Sequence, residues 1–166
     1  MILKKSISFI GMAGCGKSTI GKIVSQKYDL SFCDTDELIE KKYNASMEDI
    51  KIKFGYKFIR EAEEEVIMGL DNKYKVISTG GSAVYSDRAI KHLKQFSLLI
   101  FIDASFSDIK KRIGDASGRG FAVPKSFSVE EAYSERLPLY KKYQDKTING
   151  SESIGKIINQ IEGILF

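Results

Sequence analysis

The sequence predicts a three-layer α/β/α fold, a five-stranded parallel sheet with helices on both faces and one mobile lid. Three observations carry that expectation. Short β-favouring runs alternate with stretches of helical periodicity along the 166 residues, the pattern of a parallel sheet wound by helices. The first such run leads directly into Gly11-Met12-Ala13-Gly14-Cys15-Gly16-Lys17-Ser18-Thr19, which fits the phosphate-binding pattern G-x-x-x-x-G-K-[ST]. A hydrophobic content of 43% in a chain of this length builds one core, so a single domain over residues 1–166 is expected.

Ile7, Phe9 and Ile10 form the first strand, and Ile20, Ile23, Val24 and Tyr28 recur at helical spacing after the loop. The glycines between them let backbone N–H groups turn inward around a polyphosphate, while the following helix adds the positive end of its dipole. Lys17 supplies a mobile cation to the terminal phosphates and the Ser18 hydroxyl a Mg²⁺ ligand. An accidental glycine turn explains none of the flanking pattern. Lys4 and Lys5 precede an apolar run ending at Cys15, as in a lipoprotein-type cleavage site, but Ser6 and Ser8 interrupt it and it is too short.

Leu30 to Cys33 reads as the second strand, running into Asp34-Thr35-Asp36-Glu37 at the carboxyl edge of the sheet, where open α/β sheets bind ligands. Asp34 or Thr35 can cap a helix from Glu37 to Tyr43, but a cap needs only one carboxylate. Beside a phosphate loop, the favoured reading gives Asp34 to the Mg²⁺ shell and turns Asp36 to an acceptor. Ser46 and Gly55 bracket a short helix over 46–54. From Tyr56 to Leu70, the residues Ile59, Ala62, Val66 and Leu70 form a buried stripe, and the spacing of Arg60 and Glu63 predicts a surface ion pair.

The third strand, Lys75 to Ser78, ends in Thr79-Gly80-Gly81-Ser82, where two glycines either admit a ligand to the backbone or simply turn. A helix over Ser86 to Lys94 places His92 on the surface. Leu98 to Ile102 reads as a central strand, followed by a helix that starts at Ser105 and ends in Lys110, Lys111 and Arg112. Cations belong at a helix end, which is sufficient reason for Arg112. Gly114 to Gly120 is polar, glycine-rich and carries Arg119, either an idle loop or a lid, taken as residues 114–127, that covers phosphates. Ser128 and Glu131 box the start of a helix reaching Tyr143, which Pro138 is expected to kink or interrupt. Lys146 to Ile148 is the last strand, and Ile154, Ile157, Ile158, Ile161 and Leu165 give the core face of a C-terminal helix.

Lys and Arg, 26 in all, are interspersed with 22 Asp and Glu, giving a net charge of +4 without a basic stripe, so no nucleic-acid partner is expected. No segment approaches membrane-spanning length. Two lone cysteines supply neither a disulfide framework nor a metal cluster, in keeping with the cytoplasm. A regulatory GTPase would carry Asn-Lys-x-Asp, and the nearest string, Asn72-Lys73-Tyr74-Lys75, lacks the Asp.

Together, the loop from Gly11 to Ser18, Asp34-Thr35-Asp36, Gly55 with Arg60 and Glu63, Ser78-Thr79-Gly80-Gly81, Arg112 with Arg119, and Arg136-Leu137-Pro138-Leu139-Tyr140 resemble the shikimate kinase family over nearly the whole chain. That resemblance implies a small P-loop kinase of nucleoside-monophosphate-kinase-like fold that converts shikimate and ATP to shikimate 3-phosphate and ADP. By the same likeness Gly11, Gly14, Cys15, Gly16, Lys17, Ser18, Thr19, Arg112 and Arg119 bind ATP. Arg112 lies at the adenine and Arg119 at the transferring phosphate. Ser18 and Asp34 hold Mg²⁺, with Ser78 adding a contact through water. Asp36 holds the acceptor hydroxyls, and Arg60, Arg136 and the Gly80-Gly81 backbone hold its carboxylate region. Lys17, Asp36 and Arg119 are thereby the catalytic set, and two fixed arginines do suit a carboxylate. A cytoplasmic monomer with a small-molecule substrate is expected.

Four positions depart from the family pattern. Tyr56 stands where Glu is usual, Ile59 where Phe is, Ser82 where a third Gly is, and Gly120-Phe121 where Pro-Leu follows the lid arginine. Ser82 is expected to restrict the backbone beside the substrate, and Gly120 to loosen the lid. These changes leave two alternatives: a kinase for another hydroxy acid such as gluconate, and an inactive nucleotide-binding module.

Overall fold

The computed structural model describes residues 5–114 and 118–165. Five parallel strands, β1 (Ser6–Ile10), β2 (Phe32–Asp34), β3 (Val76–Ser78), β4 (Ser97–Asp103) and β5 (Lys146–Asn149), form one sheet in the order β2-β3-β1-β4-β5. The centre therefore belongs to β1, with β4 next to it. The reason is burial: every residue of β1 is buried, including Ser6 and Ser8, and Ser8 meets Ser97 of β4 through their hydroxyls at 2.8 Å.

From β1 the chain crosses to β2 beyond β3 on one side, whereas β4 and β5 build out on the other. This reversal opens the crevice at the carboxyl edge where such sheets bind ligands. The phosphate loop occupies that point, followed by α1 (Lys17–Lys27). Register brings two further residues to the same edge, because Asp34 of β2 pairs with Ser78 of β3.

Helix α2 covers Thr35–Tyr43, beginning two residues before the expected Glu37, because the Asp34 side chain caps it by accepting the N–H groups of Asp36 and Glu37 at 3.0 and 3.4 Å. Next come α3 (Met47–Phe54) and α4 (Tyr56–Met68), whose buried face is Ile59, Ala62, Glu63 and Ile67 rather than the expected stripe through Val66. A carboxylate therefore occupies a core position. A 3-10 turn over Ala83–Tyr85 leads to α5 (Asp87–Phe96), where His92 is half-buried and donates Nε2–H to the Leu70 carbonyl at 2.8 Å instead of lying free on the surface.

After β4 come α6 (Phe106–Ile113) and α7 (Val129–Tyr143), and α8 (Ile154–Leu165) closes the described chain. Helix α7 runs unbroken through Pro138, against expectation. Buried anchors on either side account for this: Arg136 and Tyr140 are 1% and 2% exposed, and the Tyr140 ring stacks on Phe101 with centroids 5.3 Å apart. The expected lid, 114–127, is anchored in its second half, since Phe121, Ala122 and Val123 are buried. Its residues 115–117 lie outside the described ones. Among the described residues no helix is long and apolar enough to cross a membrane.

Candidate active site

A cavity of about 610 Å³ opens at the carboxyl edge, between the phosphate loop, the start of α2 and the turn after β3. The predicted residues Gly14, Cys15, Gly16, Lys17, Ser18 and Thr19 of the loop, Asp36, Gly80 and Gly81, and Arg112 and Arg119 all line it. Gly11 stands at the root of the loop, where φ of +148° and the Ile102 carbonyl, 2.9 Å from where a Cβ would sit, favour glycine.

The Lys17 ammonium donates to the Gly11 and Met12 carbonyls at 2.6 and 2.9 Å and lies 3.7 Å from Cys15 Sγ. It is thus held inside the loop, facing the volume that a triphosphate would enter. Ser18 donates to Asp34 Oδ2 at 2.5 Å, and its Oγ is 3.2 Å from Ser78 Oγ. Asp34 therefore does two things, capping α2 with one oxygen and holding Ser18 with the other. Arg112 ties the rim together, donating to the Gly14 carbonyl at 3.1 Å and the Gly150 carbonyl at 3.3 Å.

Two groups of lining residues are not among the site residues read from the sequence. Glu40 and Met47 line the cavity from α2 and α3, and Gly150, Glu152, Ile154 and Ile157 line it from the β5–α8 connection. Ile154 was expected in the core but is 51% exposed. The available signal was topological, since the connection after a parallel strand emerges on the same edge as the phosphate loop.

Behind Gly80 lies the acidic part of the site. A Cβ on Gly80 would stand 2.4 Å from Glu63 Oε1 and 2.7 Å from Asp36 Oδ1, so both carboxylates flank this one glycine. Burial, reinforced by the charges of Glu63 and Asp34 and opposed by Lys17, pushes the Asp36 carboxyl up to about 7. Burial also raises Glu63, against the Ser82 hydrogen bond and the charges of Arg136 and Lys17. Ser82 donates to Glu63 Oε2 at 2.5 Å. Its φ of −95° is ordinary for any residue, so Ser82 satisfies a buried carboxylate rather than restricting the loop. Gly80→Ala is expected to raise the acceptor KM about tenfold by pushing Asp36 aside, with ATP affinity by calorimetry unchanged.

Arg60 and Glu63 do not form the expected surface pair. Glu63 turns inward, and Arg60 donates Nε and Nη2 to the Ala122 carbonyl at 3.1 and 3.0 Å. Arg136 donates Nη2 to the same oxygen at 3.3 Å. Neither arginine lines the main cavity. Arg60 borders a neighbouring hollow of about 510 Å³, and Arg136 lies behind Gly81, its Nη1 2.9 Å from where a Gly81 Cβ would sit. Gly120 is not loose either: its φ of +59° excludes proline, its N–H donates to Glu48 at 2.7 Å, and its Cα abuts Met47.

A phosphate loop at the sheet's reversal point, with a carboxylate across the cavity and arginines at its rim, defines a small P-loop kinase. The family model for shikimate kinase matches residues 13–165. Two curated shikimate kinases, from Clostridium botulinum and Clostridium beijerinckii, are 35% and 33% identical, each over 98% of this chain and over 98% and 96% of their own lengths. The crystal structure of shikimate kinase from Aquifex aeolicus superposes with a TM-score of 0.80 at 28% identity, covering 95% of this chain and 94% of that one. The chain belongs to the shikimate kinase family.

Proposed function

We infer that the protein transfers the γ-phosphate of ATP to a hydroxyl of shikimate, giving shikimate 3-phosphate and ADP, as a single-domain cytoplasmic monomer. The observation that supports this reading is the shared cavity, which Lys17, Asp36, Gly80 and Gly81 line together. Asp36 orients the acceptor hydroxyl and, when ionised, can accept its proton. Arg60 and Arg136 receive the acceptor carboxylate in place of the Ala122 carbonyl. Lys17 turns from its two loop carbonyls to the phosphates, and Arg119 approaches the transferring group from the rim.

The oxygen set of Ser18, Asp34 and Ser78 suits Mg²⁺, a hard cation that prefers hydroxyl and carboxylate ligands alongside phosphate oxygens. Ser18 and Asp34 would hold it, and when bound it neutralises charge on the β- and γ-phosphates. An ADP-release assay with ATP and Mg²⁺ should show turnover with shikimate and none with gluconate. Turnover confined to gluconate, or nucleotide binding by calorimetry without transfer to either acceptor, would reject this reading.

A further inference from the structure

Arg136 is almost fully buried, and among the described residues neither it nor Arg60 has a carboxylate within ion-pair distance. Buried cations are ordinarily held by paired anions. Here the Ala122 carbonyl and aromatic rings make the direct contacts. The Arg60 guanidinium lies 3.6 Å from the centre of the Tyr85 ring, a full cation–π stack, with Tyr56 at 5.1 Å, whereas Arg136 lies 4.6 Å from the centre of Phe121 and 5.4 Å from that of Tyr85, the one ring that both arginines share. Arg136 Nε donates to the Tyr85 hydroxyl at 3.4 Å, and that hydroxyl donates to Glu135 at 2.5 Å, which fixes the direction of the phenol.

We propose that Tyr85 is a positioning residue for acceptor recognition, one that aims Arg60 and Arg136 at a single point without itself placing a carboxylate on either. That point is marked by the Ala122 oxygen, on which three guanidinium N–H groups converge. A carboxylate in the place of Tyr85 would orient the arginines equally well but neutralise them, and an anionic acceptor would then gain little. A π-face orients a cation through its quadrupole without carrying net charge. Tyr85 thus couples geometry to selectivity for an acid over its uncharged analogue. The inference rests on the proposed acceptor chemistry and adds to it a residue outside the shikimate kinase resemblance.

The test compares wild type, Tyr85→Leu and Tyr85→Phe in steady-state kinetics with shikimate, methyl shikimate and ATP. Tyr85→Leu is expected to raise the KM for shikimate about tenfold, the scale of one desolvated cation–π contact, with ATP KM unchanged. Its preference for shikimate over the methyl ester should shrink by a similar factor, a change that a general loosening would not produce. Tyr85→Phe keeps the ring and should recover most of the loss. An unchanged shikimate KM in Tyr85→Leu, an equal loss on acid and ester, or a parallel rise in ATP KM would each overturn the proposal. If Tyr85→Leu does not fold, Tyr85→Phe decides, since loss of the phenol contact should still lower the acid-to-ester preference about twofold, and an unaltered preference overturns it. Wild type inactive on shikimate rejects the proposed function and this inference with it, whereas active wild type matched by its variants rejects the inference alone.

Discussion

Asp36→Asn is expected to lower kcat/KM for shikimate by about 10²-fold or more while raising the melting temperature of the protein at pH 8. Both effects have one cause. Burial, first of all, makes the ionised form of Asp36 costly, and the Glu63 carboxylate that shares the flanks of Gly80, with Asp34, adds to that cost. The folded-state value near 7 lies above the ordinary aspartate value of 3.8. Between these values the folded chain keeps a proton that the unfolded chain has released, so the contribution of this group to stability falls as pH rises towards 7. Removing the charge relieves that cost, and a gain of about 1 kcal/mol would lift the melting temperature by roughly 2–4 °C in a chain of this size. Activity runs the opposite way. Because the ionised form binds the hydroxyl, kcat/KM should climb as pH passes through about 7. A flat profile between pH 6 and 8, or an Asn variant that melts below wild type at pH 8, would contradict the assignment.

Lys17→Met should reduce kcat by about 10³-fold, because no other described cation stands inside the phosphate loop to offset charge developing on the transferred group. Calorimetry should show weaker binding of ATP than of AMP relative to wild type, since the lost contact serves the distal phosphates. The variant also frees the Gly11 and Met12 carbonyls that the ammonium now holds. A thermal melt is therefore the necessary control, and retained ATP discrimination with a normal melt would remove Lys17 from the catalytic set.

The nucleotide half of the site was legible in the sequence because it is local. Glycine spacing, Lys17 and Ser18 lie within one loop, and a strand and helix flank it in order. The acceptor half was not, because its partners lie far apart in the chain. Arg60 and Glu63, three residues apart, read as a surface pair, yet their bonds run to Ala122 and Ser82, 62 and 19 residues on. Only the family resemblance singled out Arg60, and nothing local singled out Tyr85. Ser82 and Gly120 were misjudged for a related reason: substitution against a pattern gives the residue type but not its backbone angle or the carboxylate it meets. Pro138 failed as a breaker because burial of Arg136 and Tyr140 outweighs one missing backbone bond.

Under the proposed function, the peptide oxygen of Ala122 would act as a tethered stand-in for the acid group of the acceptor. An entering carboxylate would exchange with it instead of filling a void, and charge-assisted bonds about twice as strong as neutral ones would drive that exchange forward. On release of the phosphorylated molecule the oxygen would return, so that the buried Arg136 and the half-buried Arg60 keep an acceptor. The chain would thus carry its own weak rival to the acceptor's acid group, held in place by the buried run Phe121 to Val123.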